Sequence, residues 1–344
     1  MYKIKIVIIN ILIFFFILIL SLEFILPKIT KVPHLVYYKW DTRPTTFFPS
    51  ITHRAITNNY DIRFKTNSLG FKDTDINYTK NENTKRILLL GDSYIEAVGI
   101  APDKQLGRVL EKLFDEENIN LEVISMGMSG YGQNEQLVNY NLLGKKFIPD
   151  LVITFFCKND IDDNLRTKDR YFNDSGELIF GYTNEKITLK QIFFRKFTNT
   201  FETYHIYKKI LRGLYTKERV KLIKENKKIH KSFSLDSEEF KYLEKIVSRL
   251  KQDISVRDNI KLLNIIVSDN VTIKLNDEHY KILSMTEEIY KSLNIDTINT
   301  DYIFRKYYNE KNILPHWSND FHWNENGNKL VAELIHTYLK NKNF

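Results

Sequence analysis

One cysteine, Cys157, is all that this chain of 344 residues carries. That excludes an internal disulfide and a zinc site built on cysteines. Nucleotide loops are missing as well. No Gly-Lys-Ser or Gly-Lys-Thr occurs, and the glycines at 127, 130 and 132 do not keep the Gly-x-Gly-x-x-Gly order. The acidic run Asp160, Asp162, Asp163 lacks the glycine and distal glutamate of an EF-hand loop, so it reads as loop hydrogen bonding rather than a cation site. No metal and no cofactor is expected. The net charge is +8 and the pI about 9.1, yet no nucleic-acid module accompanies them. Nucleic acid is therefore not an expected partner, and the excess lysine reads as a solvated face or an affinity for anionic surfaces. There is no internal repeat.

Charge itself is absent from Ile6 to Leu22, and the apolar run continues to Leu26 before Pro27. This is about the length of a bilayer-crossing helix. Lys3 and Lys5 precede it, which favours an inside amino terminus and an outside remainder. No small-x-small cleavage site follows, so residues 1–27 are expected to form an uncleaved transmembrane signal-anchor. Glu23 falls near the outer interface, where a charge is tolerated.

Residues 28–84 read as a polar, irregular extracytoplasmic lead-in containing Pro33, Pro44 and Pro49, with Tyr60 to Phe64 a possible strand. From residue 85 to 344, strand-like and helix-like segments alternate. Strands are expected at Arg86–Leu90, Leu121–Ser125, Leu151–Phe156, Lys261–Val267 and Ile295–Asn299. Helices are expected at Asp103–Phe114, Asn134–Lys145, Glu238–Ile254, Asp277–Leu293 and from Asn324 to Leu339. Such alternation predicts an α/β fold, a parallel sheet covered on both faces. Residues 166–236 break the rhythm. They read as a helical insertion with a basic face running from Lys208 and Lys209 to Lys231, either a solvated helical hairpin or a cap or membrane-facing patch near the site.

Three short motifs carry chemistry. Gly91-Asp92-Ser93-Tyr94 follows the first strand, Asn159-Asp160 follows the third, and Asp320-Phe321-His322 precedes the last helix. A serine on a strand-to-helix turn is a weak nucleophile until a base removes its proton. His322 suits that role, and Asp320 would hold its tautomer and stabilise the imidazolium. The backbone N–H groups of Ser93 and Gly130, with the Asn159 amide, would receive an oxyanion. Gly127 and Gly132 compete with Gly130 for that place.

With these residues the chain resembles the SGNH hydrolase superfamily, the GDSL-type esterases and lipases, over residues 63 to 340. Gly91-Asp92-Ser93-Tyr94 matches the first block, with Tyr94 for the usual leucine. Gly130 matches the second, and Asn159-Asp160 the third, with Cys157 where glycine is usual. Asp320 and His322 match the last, at Asp-x-His rather than Asp-x-x-His spacing. The stretch Asp320–Asn328 is similar to bacterial surface-polysaccharide acetylation proteins, and Asn67-Ser68-Leu69-Gly70-Phe71 is similar to membrane-anchored bacterial members. The resemblance implies a three-layer α/β/α sandwich with a flavodoxin-like sheet. It implies a membrane-anchored, outward-facing serine esterase acting on small acyl esters, O-acetyl groups on a cell-surface glycan among them. An O-acetyltransferase would use the same groups, and a non-catalytic scaffold would keep the fold without turnover.

Overall fold

The computed structural model describes residues 2–41, 43–171, 173, 187–211, 234–268, 278–318 and 320–344. Helix α1 (Tyr2–Ile29) comes first, and its stretch Ile4–Leu26 has a mean hydropathy of 2.9 and is 0% buried. Two small antiparallel ladders follow, β1 (Tyr37–Tyr38) with β2 (Thr46–Phe47) and β3 (Thr52–Ile56) with β4 (Asp61–Lys65). The alternating part then runs β5 (Lys85–Gly91), α2 (Leu106–Asp115), β6 (Leu121–Gly127), α3 (Gln133–Leu142), β7 (Leu151–Phe156) and α4 (Asp160–Tyr171). Helices α5 (Leu189–Asn199), α6 (202–211) and α7 (Glu238–Lys251) lead to β8 (Lys261–Ile266), α8 (Glu278–Ser292) and β9 (Asp296–Asn299). The chain ends with α9 (Asp301–Lys311), the hairpin β10 (His316–Trp317) and β11 (Asp320–Trp323), and α10 (Glu325–Asn341). Most of the basic run expected in the insertion, Arg212, Lys217, Arg219, Lys221, Lys224, Lys227, Lys228 and Lys231, lies outside the described residues.

Strands β5 to β9 form one parallel sheet in the order β6-β5-β7-β8-β9. Counted from its first strand this is the 2-1-3-4-5 order of flavodoxin-like sheets. Alternation along each strand sends side chains to two faces, and both faces are apolar. In β5, Leu88 and Leu90 join Leu137 of α3, Leu243 and Val247 of α7 and Leu283 of α8. Ile87 and Leu89 join Leu110 of α2, Phe304 of α9 and Val331 and Ile335 of α10. Each such side chain contributes about 1.5–3 kcal/mol by leaving water. This is the covered parallel sheet expected from the alternation.

Two of the expected helices are interrupted. The helix expected from Asp103 is split, because Gln105 is extended (φ −64°, ψ 147°) between a 3₁₀ turn and α2. The helix expected to reach Ile254 gives way to a π-helical turn at Gln252–Arg257. That turn buries Asp253, which accepts from Asn141 Nδ2 (2.8 Å) and Arg249 Nε (3.0 Å).

The lead-in packs into the core. Phe47, Phe64 and Phe71 belong to the same cluster as Leu88 and Leu90. The Arg86 guanidinium, buried at the base of β5, donates to the carbonyls of Asn77, Tyr78 and Thr79 at 2.8, 2.9 and 3.1 Å.

Candidate active site

Strands β5, β6 and β7 are neighbours, and their carboxyl ends release three loops at one sheet edge. Ser93 sits in the turn after β5 and is 9% exposed. Its Oγ donates to Asp92 Oδ2 at 3.4 Å, a long and weak hydrogen bond. Burial pushes the Asp92 carboxyl up to about 6, against the pull of the Tyr94 N–H, His322 and the Asn159 amide. Asp160, wholly buried beside it, lies well above the carboxylate range for the same reason and because of the neighbouring Asp92 charge.

Asp320 and His322 stand on β11. The His322 ring donates from Nδ1 to Asp320 Oδ1 at 2.5 Å, and its backbone N–H donates to the same oxygen at 3.2 Å. A proton on Nδ1 leaves Nε2 as the acceptor. Burial opposes the charged imidazole, but the Asp320 hydrogen bond and the charges of Asp320, Asp92 and Glu96 outweigh it and raise the pKa. The hydrogen bond to His322 lowers that of Asp320. Those charges place the ring in the field of the turn that bears Ser93.

Tyr94, the departure from the usual leucine, ties the two together. Its hydroxyl donates to the Phe321 carbonyl at 3.1 Å, and its ring lies 5.3 Å from His322 and 4.9 Å from Trp323. Trp323 is buried and donates from Nε1 to the Ser268 carbonyl (2.9 Å), which fixes the hairpin. Among the described residues Ser93 Oγ and His322 share no hydrogen bond; the hydroxyl is turned to Asp92.

The other expected donors are placed as follows. Asn159 is exposed at the start of α4 and its Nδ2 donates to Asp163 Oδ2 at 2.9 Å. Gly130 adopts φ +79°, and a Cβ there would meet only Arg166 Nη2, at 3.7 Å. Its rivals have other reasons to be glycine. A Cβ on Gly127 would lie 2.3 Å from the Glu96 nitrogen, and one on Gly132 would lie 2.4 Å from Asn164 Oδ1. The Cys157 side chain joins the α2/α10 side of the core, and its N–H donates to Asp160 Oδ2 at 3.2 Å.

A support layer beneath the turn was not legible in the sequence. Glu96 is buried and accepts from Ser129 N and Oγ, both at 2.7 Å, joining the serine turn to the Gly130 loop. Lys72 of the lead-in donates to the carbonyls of Ala97 (2.7 Å) and Ile100 (2.6 Å). Burial brings its amine down to about 7 against the Glu96 charge. Asp73 accepts from Ser125 N at 2.7 Å. The Asn-Ser-Leu-Gly-Phe stretch aims both, since Asn67 Oδ1 accepts from Leu69 N (3.1 Å) and Phe71 N (2.9 Å). That stretch was the one available signal.

The family model for GDSL-like lipases and acylhydrolases matches residues 87–335. Among solved structures, the chain is similar to an acetyl xylan esterase, AlAXEase, at 15% identity over 74% of this chain and 99% of that one, with a TM-score of 0.45. It is similar to a lipase/acylhydrolase from Enterococcus faecalis at 14% identity over 75% and 96%, TM-score 0.42. It is also similar to the esterase EstA from Pseudoalteromonas sp. at 14% identity over 76% and 98%, TM-score 0.43. No curated protein matches the chain.

Proposed function

The chain belongs to the GDSL-like lipase/acylhydrolase family, and from that premise we propose a serine esterase that removes small acyl groups, acetyl above all, from a glycan outside the membrane. The observation that carries the catalytic assignment is the Asp320–His322 pair, 2.5 Å apart on a hairpin that Tyr94 joins to the turn bearing Ser93.

Ser93 Oγ attacks the acyl carbon as its proton passes to His322 Nε2. Asp320 stabilises the imidazolium. The oxyanion takes hydrogen bonds from the N–H groups of Ser93 and Gly130 and from the Asn159 amide. His322 returns its proton to the leaving alcohol, leaving an acyl-serine. Water, deprotonated by His322, then releases the acid and restores Ser93. A rotation of the Ser93 hydroxyl away from Asp92 and of the Asn159 amide away from Asp163 accompanies substrate binding; such bonds commonly tighten only in the complex.

The surroundings support a small acyl group. Ser93 is nearly covered, and its neighbours Asp92, Glu96 and Asp160 are buried polar groups that suit a short chain better than a long apolar one. Asn159 and Arg166, exposed and tied to Asp163 and to the Gly130 carbonyl, suit sugar hydroxyls. The extracytoplasmic setting follows from reading residues 1–27 as an anchor with the lysines inside.

The test is p-nitrophenyl acetate turnover and fluorophosphonate labelling. The wild type should do both and Ser93→Ala neither. Wild-type turnover in Ser93→Ala would displace the nucleophile, and an inert wild type would favour a scaffold. Acetate release measured with and without a glycan acceptor separates hydrolysis from transfer.

A further inference from the structure

We propose that α5 and α6 form a second membrane contact, lying in the interfacial layer of an anionic bilayer beside α1 with an apolar face in the lipid. This rests on reading α1 as the anchor.

The position comes from hydrogen bonds. The Glu23 carboxylate of α1 accepts from the backbone N–H of Glu202 (2.6 Å) and of Thr203 (3.1 Å), and from the Thr203 hydroxyl. It therefore caps the first turn of α6, where helix N–H groups lack partners and a negative charge is favoured. Thr30 Oγ1 donates to the Glu202 side chain, and His34 Nε2 pairs with Glu202 Oε2 at 2.7 Å. His34 also stacks on His205 at 3.9 Å. Glu23 stands three positions before the end of the apolar stretch at Leu26, about 5 Å along the helix axis. Where α1 crosses a bilayer, the start of α6 is held at the boundary of the hydrocarbon.

The exposed surface matches that depth. On α5, Ile192 packs on Val36, Phe48 and Ile51, and Asn199 donates to the Thr52 carbonyl at 2.6 Å. An exposed face carries Leu189, Phe193 and Phe197 at four-residue spacing, exposed by 85%, 73% and 55%. On α6, Tyr207 and Ile210 are exposed by 60% and 58%. The Phe197 ring meets Phe201, the residue before the capped Glu202, at 4.9 Å, so the two apolar faces adjoin. Continuous apolar surface of this kind marks an interaction site. Exposed Lys190, Lys196 and Lys209 border it, and their stems can lie along lipid while the ammonium groups reach anionic headgroups. A basic, aromatic-rich amphipathic pair continuous with an anchor selects a membrane over a second protein.

The full chain in nanodiscs containing phosphatidylglycerol tests this without substitution. A phospholipid with a diazirine in its acyl chain should leave adducts on residues 189–211 as well as on α1. Adducts confined to α1 overturn the proposal. Nitrobenzoxadiazole labels at Phe193→Cys and Ile210→Cys give a second reading, since the native thiol of Cys157 is buried. Both labels should lose emission to nitroxide lipid as a Phe15→Cys label does, while one at exposed Glu288→Cys keeps it. If Phe15→Cys is quenched and the insertion labels behave like Glu288→Cys, the anchor stands and the second contact falls. If Phe15→Cys is not quenched, the anchor reading fails and takes the proposal with it. Insertion labels shielded only when two copies share a disc overturn it in favour of self-association. Shielding of them by residues 212–233, detected as intrachain crosslinks, overturns it in favour of a folded cover.

Discussion

Asp320 and His322 stand two apart on a strand, and side chains two apart on a strand face the same side. The short Asp-x-His spacing thus lets a carboxylate meet the imidazole without a turn between them. Burial works against the charged ring, but Asp320 leads an upward pull that leaves the His322 pKa raised. As the proposed general base, His322 must be neutral, so activity should be lost as pH falls through that raised value. Asp320→Asn removes the carboxylate. The acid limb of kcat/KM should then move to lower pH, with kcat down by roughly 10²–10⁴-fold. A pH–rate series on both proteins checks this, and an unmoved limb would take Asp320 out of the assignment. Stability is linked with its own sign. The contribution of protonated His322 is fully present below the unfolded histidine value and is lost as pH rises through the raised folded one. The residue types of the candidate site were legible because acid–base chemistry on a serine admits few side chains. That Asp92, Glu96 and Asp160 lie buried around them was not, because burial of charge depends on packing partners far away in sequence.

At the scale of elements, the end of β6 presses on the turn that bears Ser93. A Cβ on Gly127 would lie 2.3 Å from the Glu96 nitrogen and 2.4 Å from the Ile95 carbonyl carbon. Both atoms are backbone and neither can swing aside. Gly127→Ala should therefore shift the turn, costing about 1–3 kcal/mol and most of the esterase turnover. Thermal unfolding and p-nitrophenyl acetate rates measure it; an unchanged melting temperature would contradict the close approach. Three glycines within six residues look alike in sequence, and only the neighbours of each separate a packing glycine from one with an open, positive-φ backbone. Strands were legible nearly to their ends, because runs such as Leu151–Phe156 are apolar on both faces. Helix ends were less so. Past the extended Gln105, Leu106 N donates to Asn328 of α10, and the π-helical turn at Gln252–Arg257 buries Asp253 against Asn141 of α3.

At the scale of the molecule, the segment before residue 85 is part of the core. Phe71 is buried against the sheet, next to the Lys72 and Asp73 that brace the site. Phe71→Ala should lower unfolding free energy by about 3–5 kcal/mol. Chemical denaturation reads this directly, and a loss below about 1 kcal/mol would show the lead-in to be peripheral. The sequence by itself determined the parallel α/β sandwich, the apolar helix, and the serine, asparagine, aspartate and histidine on which an esterase reading rests. Period, run length and motif order are local properties, and they survive without coordinates. Tertiary structure decided how those parts are held. Tyr94 reaches Phe321, Lys72 reaches Ala97 and Glu23 reaches Glu202 across long stretches of chain. Such contacts leave no pattern in sequence, because they depend on where the folded backbone brings each donor and acceptor.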